Sequence, residues 1–462
     1  MMGLLESLNV SRKALSAASA GINVVSNNVA NATTVGYSRR SLVTGTSNPV
    51  EQQGVLFGQG VDITGIVRAH NRYLGMRLID AVGQQSRSNT AEESLKLTES
   101  YFNDTSSTGL VEVYGAFYNA MSQLSTDPSD VSLRSVAVNA AEALSSTVVN
   151  IADGLNKSIN DFDSNFSSKF SQVNGLLTQI AQLNAPIGKG GANQGNTELL
   201  DKRDQLIRDL AALTGATAQL EENGQATVFI GGHAAVSGGE ARPMSLVQGV
   251  GVAPIVYLSA DNGNIDVTND LGGELGGLMD ARTYTQGYLN RLDDFAFTFT
   301  TSLNAIHLAG FDATGAAGGN MFVPPAALAG AASSMAVDPL LSANSSLLAL
   351  AGVAGGGAGD DTNLQSILGF ESSATFTGGL TGMQFISSLV SDVGSDMAAT
   401  SADSTAQDAQ VQDFDAMRTS VSGVDSDEEA MRLIEFQSAY RAAAKVVTAT
   451  DEMLRVLTSL GA

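Results

Sequence analysis

The two ends of this chain carry matching heptad stripes, which limit its fold more than any other feature. Leu8, Leu15, Ile22 and Val29 recur every seven residues near the start, with Leu4, Ala18 and Val25 offset on the same side. Leu433, Tyr440, Val447 and Leu454 do the same near the end, joined by Phe436, Ala443 and Leu457. A narrow apolar seam of this kind is made to pack on another helix. Each terminal helix therefore has two partners to choose from: the other end of its own chain, or the same pair in neighbouring subunits. The stripes leave both open.

The rest of the chain reads as an elongated, mainly α protein with a small β-rich insert. A first helix spans residues 3–31 and stops in a run rich in Asn, Thr and Gly. Residues 41–68 are extended or irregular, punctuated by Gly54, Gly58, Gly60 and Gly65. Helical pattern resumes over residues 71–102. The longest element follows Asp127 and Pro128, which read as an N-cap and a first-turn proline. Apolar residues then recur at three- and four-residue steps from Leu133 to Leu183. A helix of about 55 residues is about 80 Å long, the length of a rod rather than of a compact core. A Gly-rich break at residues 188–195 precedes a short charged helix over 197–213. Alternating, β-branched segments then occur in residues 217–230 and 255–267, separated by turn signals. Helix returns over 275–307, residues 310–359 read as loops and short turns, and a last helical tract from Met383 is broken near Gly423.

This order implies a nested layout, in which the two ends pair as a coiled coil, the next helices in pair with each other, and the β insert sits at the far tip. The corresponding domains are 1–40 plus 423–462 (terminal coiled coil), 41–214 plus 275–422 (long helical-bundle rod) and 215–274 (outer β insert).

Composition narrows the function. Only 15% of the 462 residues are charged, against about 25% in an average globular protein. The formal net charge is −23, which argues against nucleic-acid binding and against docking on anionic membrane. With no cysteine there is no disulfide framework and no thiolate chemistry. No basic n-region precedes an apolar run in residues 1–13, and no stretch reaches the roughly 18 apolar residues of a membrane span. Membrane insertion is not expected, and an extracellular location would require an export route that reads no cleaved signal.

A search for chemistry finds no catalytic constellation, no cofactor motif and no metal-ligand spacing. His70, His233 and His307 are far apart, and core or surface packing is their ordinary role. Lys189 in the Gly-rich break lacks the G-K-[ST] of a phosphate loop. The run Asp425-Ser426-Asp427-Glu428-Glu429 lacks calcium-loop spacing. Ser426 and Glu429 fit an S-x-x-E capping box, with the acidic residues at the positive end of the helix dipole. A pair of carboxylates for glycoside hydrolysis stays open, since any acidic chain offers many.

The stretch Ser26-Asn27-Asn28-Val29-Ala30-Asn31-Ala32-Thr33-Thr34-Val35-Gly36-Tyr37-Ser38-Arg39 resembles the N-terminal signature of the bacterial flagellar rod, hook and hook-associated proteins. Ser26, Asn27, Asn28, Asn31, Gly36, Tyr37 and Arg39 carry that likeness; Gly-Tyr-Ser-Arg leans towards the hook-associated protein 1 family. Three more segments are similar to the same family: residues 196–206 with Asp201-Lys202-Arg203-Asp204-Gln205, residues 271–312 ending in Gly310-Phe311-Asp312, and residues 422–429. The stretch between Phe322 and Asp360 is shorter than in some relatives, which implies that a variable second outer domain is reduced or absent.

The resemblance implies a non-enzymatic structural protein at the hook–filament junction, secreted unfolded through the flagellar type III export channel. Its implied partners are copies of itself in a ring or helical array, the flagellar hook protein, the second hook-associated junction protein, and an export chaperone in the cytoplasm. Leu8, Leu15, Ile22, Val25, Val29, Leu433, Phe436, Tyr440, Val447, Leu454 and Leu457 would form the assembly interface. The other readings are another axial protein (hook, rod or second junction protein), a secreted adhesin, or a wall hydrolase carried by the insert.

Overall fold

The fold was described from a computed structural model, which describes every residue except 1, 35, 53–54, 103–108, 191–195, 250–251, 262, 357–358 and 461–462. Most of the expected Gly-rich break therefore lies outside the described residues.

Helix α1 (Met2–Ala30) leads into a β arm. Its strands β1 (Arg40–Thr46) and β4 (Val61–Arg68) pair antiparallel, and β2 (Val50–Gln52) and β3 (Val55–Phe57) form a hairpin between them. Four helices follow: α2 (Arg72–Ser100), α3 (Leu110–Leu124), α4 (Val131–Gly190) and α5 (Thr197–Thr214). The insert has two antiparallel sheets. One runs β5 (Thr217–Leu220), β6 (Ala226–Ile230), β7 (His233–Ser237) and β8 (Glu240–Ala241). The other has β10 (Val252–Ala260) between β9 (Met244–Gly249) and β11 (Gly263–Asp266). The chain returns through α6 (Gly273–Ala309), the short α7 (Pro339–Ala343) and α8 (Thr362–Phe370), then α9 (Gly382–Ser422) and α10 (Ser426–Leu460).

The pairing is nested: α1 packs on α10, and α2 on both α9 and α6, while α4 lies against α3, α5 and α6. At 60 residues, α4 is about 90 Å long. Its inner face, from Ala137 through Leu144, Leu155, Phe166 and Val173 to Ile180, is buried along its whole length. Aromatic rings thicken the core at one end, where Phe295, Phe299, Phe322, Phe376 and Tyr114 meet edge to face or stacked. At the α2–α6 crossing, Gly277 lets the two backbones touch: a Cβ there would lie 2.3 Å from the Arg87 carbonyl. In the insert, β6 alternates buried and half-buried residues, as a strand covering a core on one face must.

The structure corrects or extends the sequence expectation in three places. Asp127 does not cap α4: it accepts from Ser129 N (3.1 Å) in the preceding turn, while Asp130 takes Ser132 N (2.7 Å) at the helix start. Pro128 thus belongs to the turn. Two helices, α3 and α8, fall outside the sequence expectation. Leu110, Val113, Tyr114, Phe117, Tyr118, Met121 and Leu124 give α3 a regular buried stripe at three- and four-residue steps, and α8 has only nine residues. Third, the segment after α6 consists of turns, as expected, but they are packed inward. Asn304 holds it by accepting from Met321 N and Phe322 N (both 2.8 Å) and donating to the Phe322 carbonyl (2.9 Å).

Candidate functional site at the paired termini

Helices α1 and α10 run antiparallel, because Asn28 meets Glu429 while Gly21 meets Phe436. The centre of their seam is built from small and polar residues. On α1 these are Ser11, Ala18, Gly21, Val25 and Asn28; on α10 they are Glu429, Ala443 and Thr450, all buried. Small side chains let the backbones approach, and the Phe436 ring sits on Gly21 so closely that a Cβ there would be 2.5 Å from Cε1. Of the stripes read from the sequence, the offset residues Ala18, Val25 and Ala443 belong to this centre, and the rows of large side chains lie beside it. Leu8, Leu15, Ile22, Leu433, Phe436, Val447 and Leu454 are half-buried and Val25 is buried, while Val29, Tyr440 and Leu457 remain 48%, 43% and 45% exposed. A further apolar row on α10 faces away: Met431 is 65% and Ile434 64% exposed, followed by Val446, Met453 and Val456.

The inner end of the seam is a polar joint into which three family-like segments converge. Asn28 is fully buried and uses its entire hydrogen-bonding capacity. Its Nδ2 donates to the Arg40 carbonyl and to Glu429 Oε2, both at 2.9 Å. Its Oδ1 accepts from Tyr37 OH (2.8 Å) and Arg40 N (3.0 Å). Burial raises the Tyr37 pKa, which keeps the phenol a donor. Asn27 and Asn31 instead fold back on carbonyls one turn earlier, donating to Asn23 O and Asn27 O. Ser26 is exposed on the outer face of α1. Gly36, at φ +81°, turns the chain against α5, where a Cβ would meet the side chains of Arg208 and Gln205.

The expected capping box at Ser426 and Glu429 is not made. Asp425 caps α10, accepting from Asp427 N (2.8 Å) and Glu428 N (3.2 Å). Glu429 is drawn inward to Asn28 and to Arg432 Nη1 (3.3 Å). A true capping box starts α9, between Thr381 and Gln384.

Charge then ties the joint to the rod. Arg39 pairs with Glu428 (2.7 Å), and its backbone N–H donates to the Ser422 carbonyl (2.8 Å). Arg40 lies over the Tyr37 ring and reaches Glu198 and Asp201, both at 3.3 Å. Arg68 bridges Asp201 (3.1 Å) and Asp204 (2.7 Å), and the buried Arg203 also holds Asp204 (2.7 Å). Burial works to raise the Asp204 pKa, yet Arg203 and Arg68 hold the carboxyl below its usual range. For Asp201 burial wins over Arg68 and Arg40, and its pKa is raised. Here the Asp201-Lys202-Arg203-Asp204 run, noticed in the sequence only as a family likeness, is an anchor.

The histidines do not converge. His307 is a core residue whose Nε2 accepts from Ala349 N (2.9 Å) and whose Nδ1 faces the Gly319 carbonyl (2.8 Å). His233 is exposed on β7. His70 borders the joint with Nε2 unpartnered; burial and then Arg68 lower its pKa to about 4. Among the described residues no group of three His, Cys, Asp or Glu could hold a metal ion, and no helix is long and apolar enough to cross a membrane.

Comparison with known proteins agrees with this geometry. A model of the flagellar hook-associated protein FlgK helical domain matches residues 95–322. A flagella basal body rod protein model matches residues 8–37, and a flagellar basal body rod FlgEFG protein C-terminal model matches residues 418–460. The flagellar hook-associated protein 1 of Salmonella typhimurium is 28% identical over 68% of this chain, a match spanning 59% of that protein's length. The protein of the same name from Bacillus subtilis is 27% identical over 98% of both chains. The solved flagellar hook junction protein FlgK from Burkholderia pseudomallei shares the fold, with a TM-score of 0.66 at 17% identity, covering 75% of this chain and 100% of that one. With rod-type models on the two paired termini and the FlgK model on the helices between them, the chain resembles the hook-associated protein 1 family of flagellar axial proteins along its length.

Proposed function

We propose that this protein is a structural component of the bacterial flagellum that joins hook to filament, assembling by packing of its terminal helices into a helical array. One observation carries the reading. The α1–α10 pair is a two-helix unit with half-buried stripes on its seam edges and an exposed apolar row led by Met431 and Ile434. Two helices cannot cover that surface by themselves, and copies stacked through heterologous, non-closing contacts can. Leu8, Leu15, Ile22, Val29, Leu433, Tyr440, Leu454 and Leu457 then complete their burial between subunits. The rod helices make the outer contacts and the β insert faces solvent.

In this reading, domains 1–40 plus 423–462, 41–214 plus 275–422, and 215–274 form the inner tube, the rod and the outer tip. The protein associates with other flagellar axial proteins: the hook protein on one side and the second junction protein on the other. An export chaperone holds it in the cytoplasm before secretion. Its role is packing, with no catalytic step. Deletion of the gene, followed by electron microscopy and assay of the medium, tests this. Hooks without filaments, with flagellin released into the medium, are expected. Normal filaments in the deletion strain would refute the junction role. Truncation after Gly423 should leave a folded, soluble core that cannot restore filaments.

A further inference from the structure

We infer that Asn28 and Glu429 are the positioning residues that set the register of the terminal coiled coil, and so select which surface the assembled unit presents. The two known meeting points, Asn28 with Glu429 and Gly21 with Phe436, are each one heptad apart on their own helices. The same antiparallel register carries Ala14 opposite Ala443 and Ser7 opposite Thr450. The apolar stripes do little to defend it. Leu8, Leu15 and Ile22 on one helix, and Leu433, Tyr440, Val447 and Leu454 on the other, repeat every seven residues. A one-heptad slip therefore matches apolar to apolar again.

The polar pair does not survive that slip. Asn28 would face Phe436, and Glu429 would lie beyond the end of α1. The Nδ2 of Asn28 would lose its carboxylate partner and be left facing the Phe436 ring, and Glu429 would lose the amide that now pairs with it. A buried polar group without a partner costs more than its hydrogen bond contributes when made, so the pair works chiefly by excluding wrong pairings. A single buried polar residue at a seam position is an established physical means of specifying coiled-coil register. Asn28 is also fixed from outside the seam: Tyr37 OH, Arg40 N and the Arg40 carbonyl hold its amide in one orientation. The register of α1 on α10 is thereby tied to the β arm and, through Arg40, to α5.

The inference takes from the assembly reading only that α1 and α10 form the building unit, and it is tested in the soluble monomer. The chain has no cysteine, so engineered pairs report register without background. A14C/A443C reports the native register and A14C/T450C the slipped one, by disulfide formation under mild oxidation. In an otherwise unaltered chain, and with E429Q, which still accepts from Asn28, only the native pair should close. With N28L/E429L, helix content by circular dichroism should be retained while the slipped disulfide rises about tenfold or more relative to the native one. If N28L/E429L loses helicity, E429L alone is read by the same ratio. A native-only pattern in the apolar variant, or slippage already in E429Q, overturns the inference. Either result leaves the assembly role to stand or fall on the filament assays.

Discussion

The seat of Phe436 on Gly21 predicts a reversal of sign. Gly21 lies inside α1, where alanine is worth about 1 kcal/mol more than glycine. Its added Cβ would sit 2.5 to 2.6 Å from three atoms of the Phe436 ring, against the 3.5 Å or more of a comfortable carbon–carbon contact. Separating them by about 1 Å costs an overpacking penalty of about 1–3 kcal/mol. G21A alone should therefore destabilise the helix pair by up to about 2 kcal/mol, despite the better helix former. F436A removes a half-buried ring, and half the usual penalty for a buried phenylalanine is about 2 kcal/mol. In that background the same G21A change has nothing to strike and should stabilise by about 1 kcal/mol. Amide hydrogen exchange in α1 and α10 reads these changes locally, with the rod helices as an internal control; each 1.4 kcal/mol is about tenfold in protection. If G21A slows exchange equally in both backgrounds, Phe436 does not rest on Gly21 and the antiparallel register argued from it fails.

Other perturbations probe the rod and the joint. G277A should destabilise by about 1–3 kcal/mol in thermal unfolding, because its Cβ meets the Arg87 carbonyl at 2.3 Å in a rigid backbone contact. Asp163 and Arg282 form a buried pair at 2.8 Å, so D163L should cost about 3–5 kcal/mol, while D163L/R282M should recover most of it. An equal loss in both variants would contradict the desolvation argument. His70 is neutral in the folded joint, with its pKa lowered to about 4 from 6.5. Below pH 6.5 the unfolded chain binds this proton and the folded chain does not, so stability falls between pH 6.5 and about 4 and then levels off. H70Q should lose that part of the pH dependence; an unchanged slope would mean that His70 is not held neutral.

Much of this architecture can be read along the chain, because the long helices carry their own periodicity. The ends of α1, α5 and α9 are marked by Asn31, Gly215 and Gly423. What escapes is set by distance or by crowding. The buried stripe is displaced from the Leu8–Leu15–Ile22 row because Gly21, Ala18 and Ala443 allow close approach, and large side chains then flank the contact instead of filling it. Local rules assign Glu429 to a capping box, but its partner Asn28 is 401 residues away. One signal was present: Asn28 and Glu429 stand one heptad from Gly21 and Phe436, on the same helix faces. The anchoring role of Arg203 and Asp204 could not be inferred locally, since Arg68 and the Gly224 carbonyl reach them from distant segments.

Nesting also fixes a time order. Closing a loop of 401 residues to bring Asn28 to Glu429 costs about 5 kcal/mol of chain entropy from the logarithmic length term alone. Once α2 has docked on α6 and α9, the open span shrinks to the roughly 40 residues between Ala30 and Arg72, and that term falls to about 3 kcal/mol. The chain therefore closes from the inside outwards, with the terminal zipper last, and it opens in the reverse sequence. A chain delivered N-terminus first holds α1 without its mate until its final 35-residue helix emerges. Topology alone makes the adhesive end of the molecule the last part to be finished.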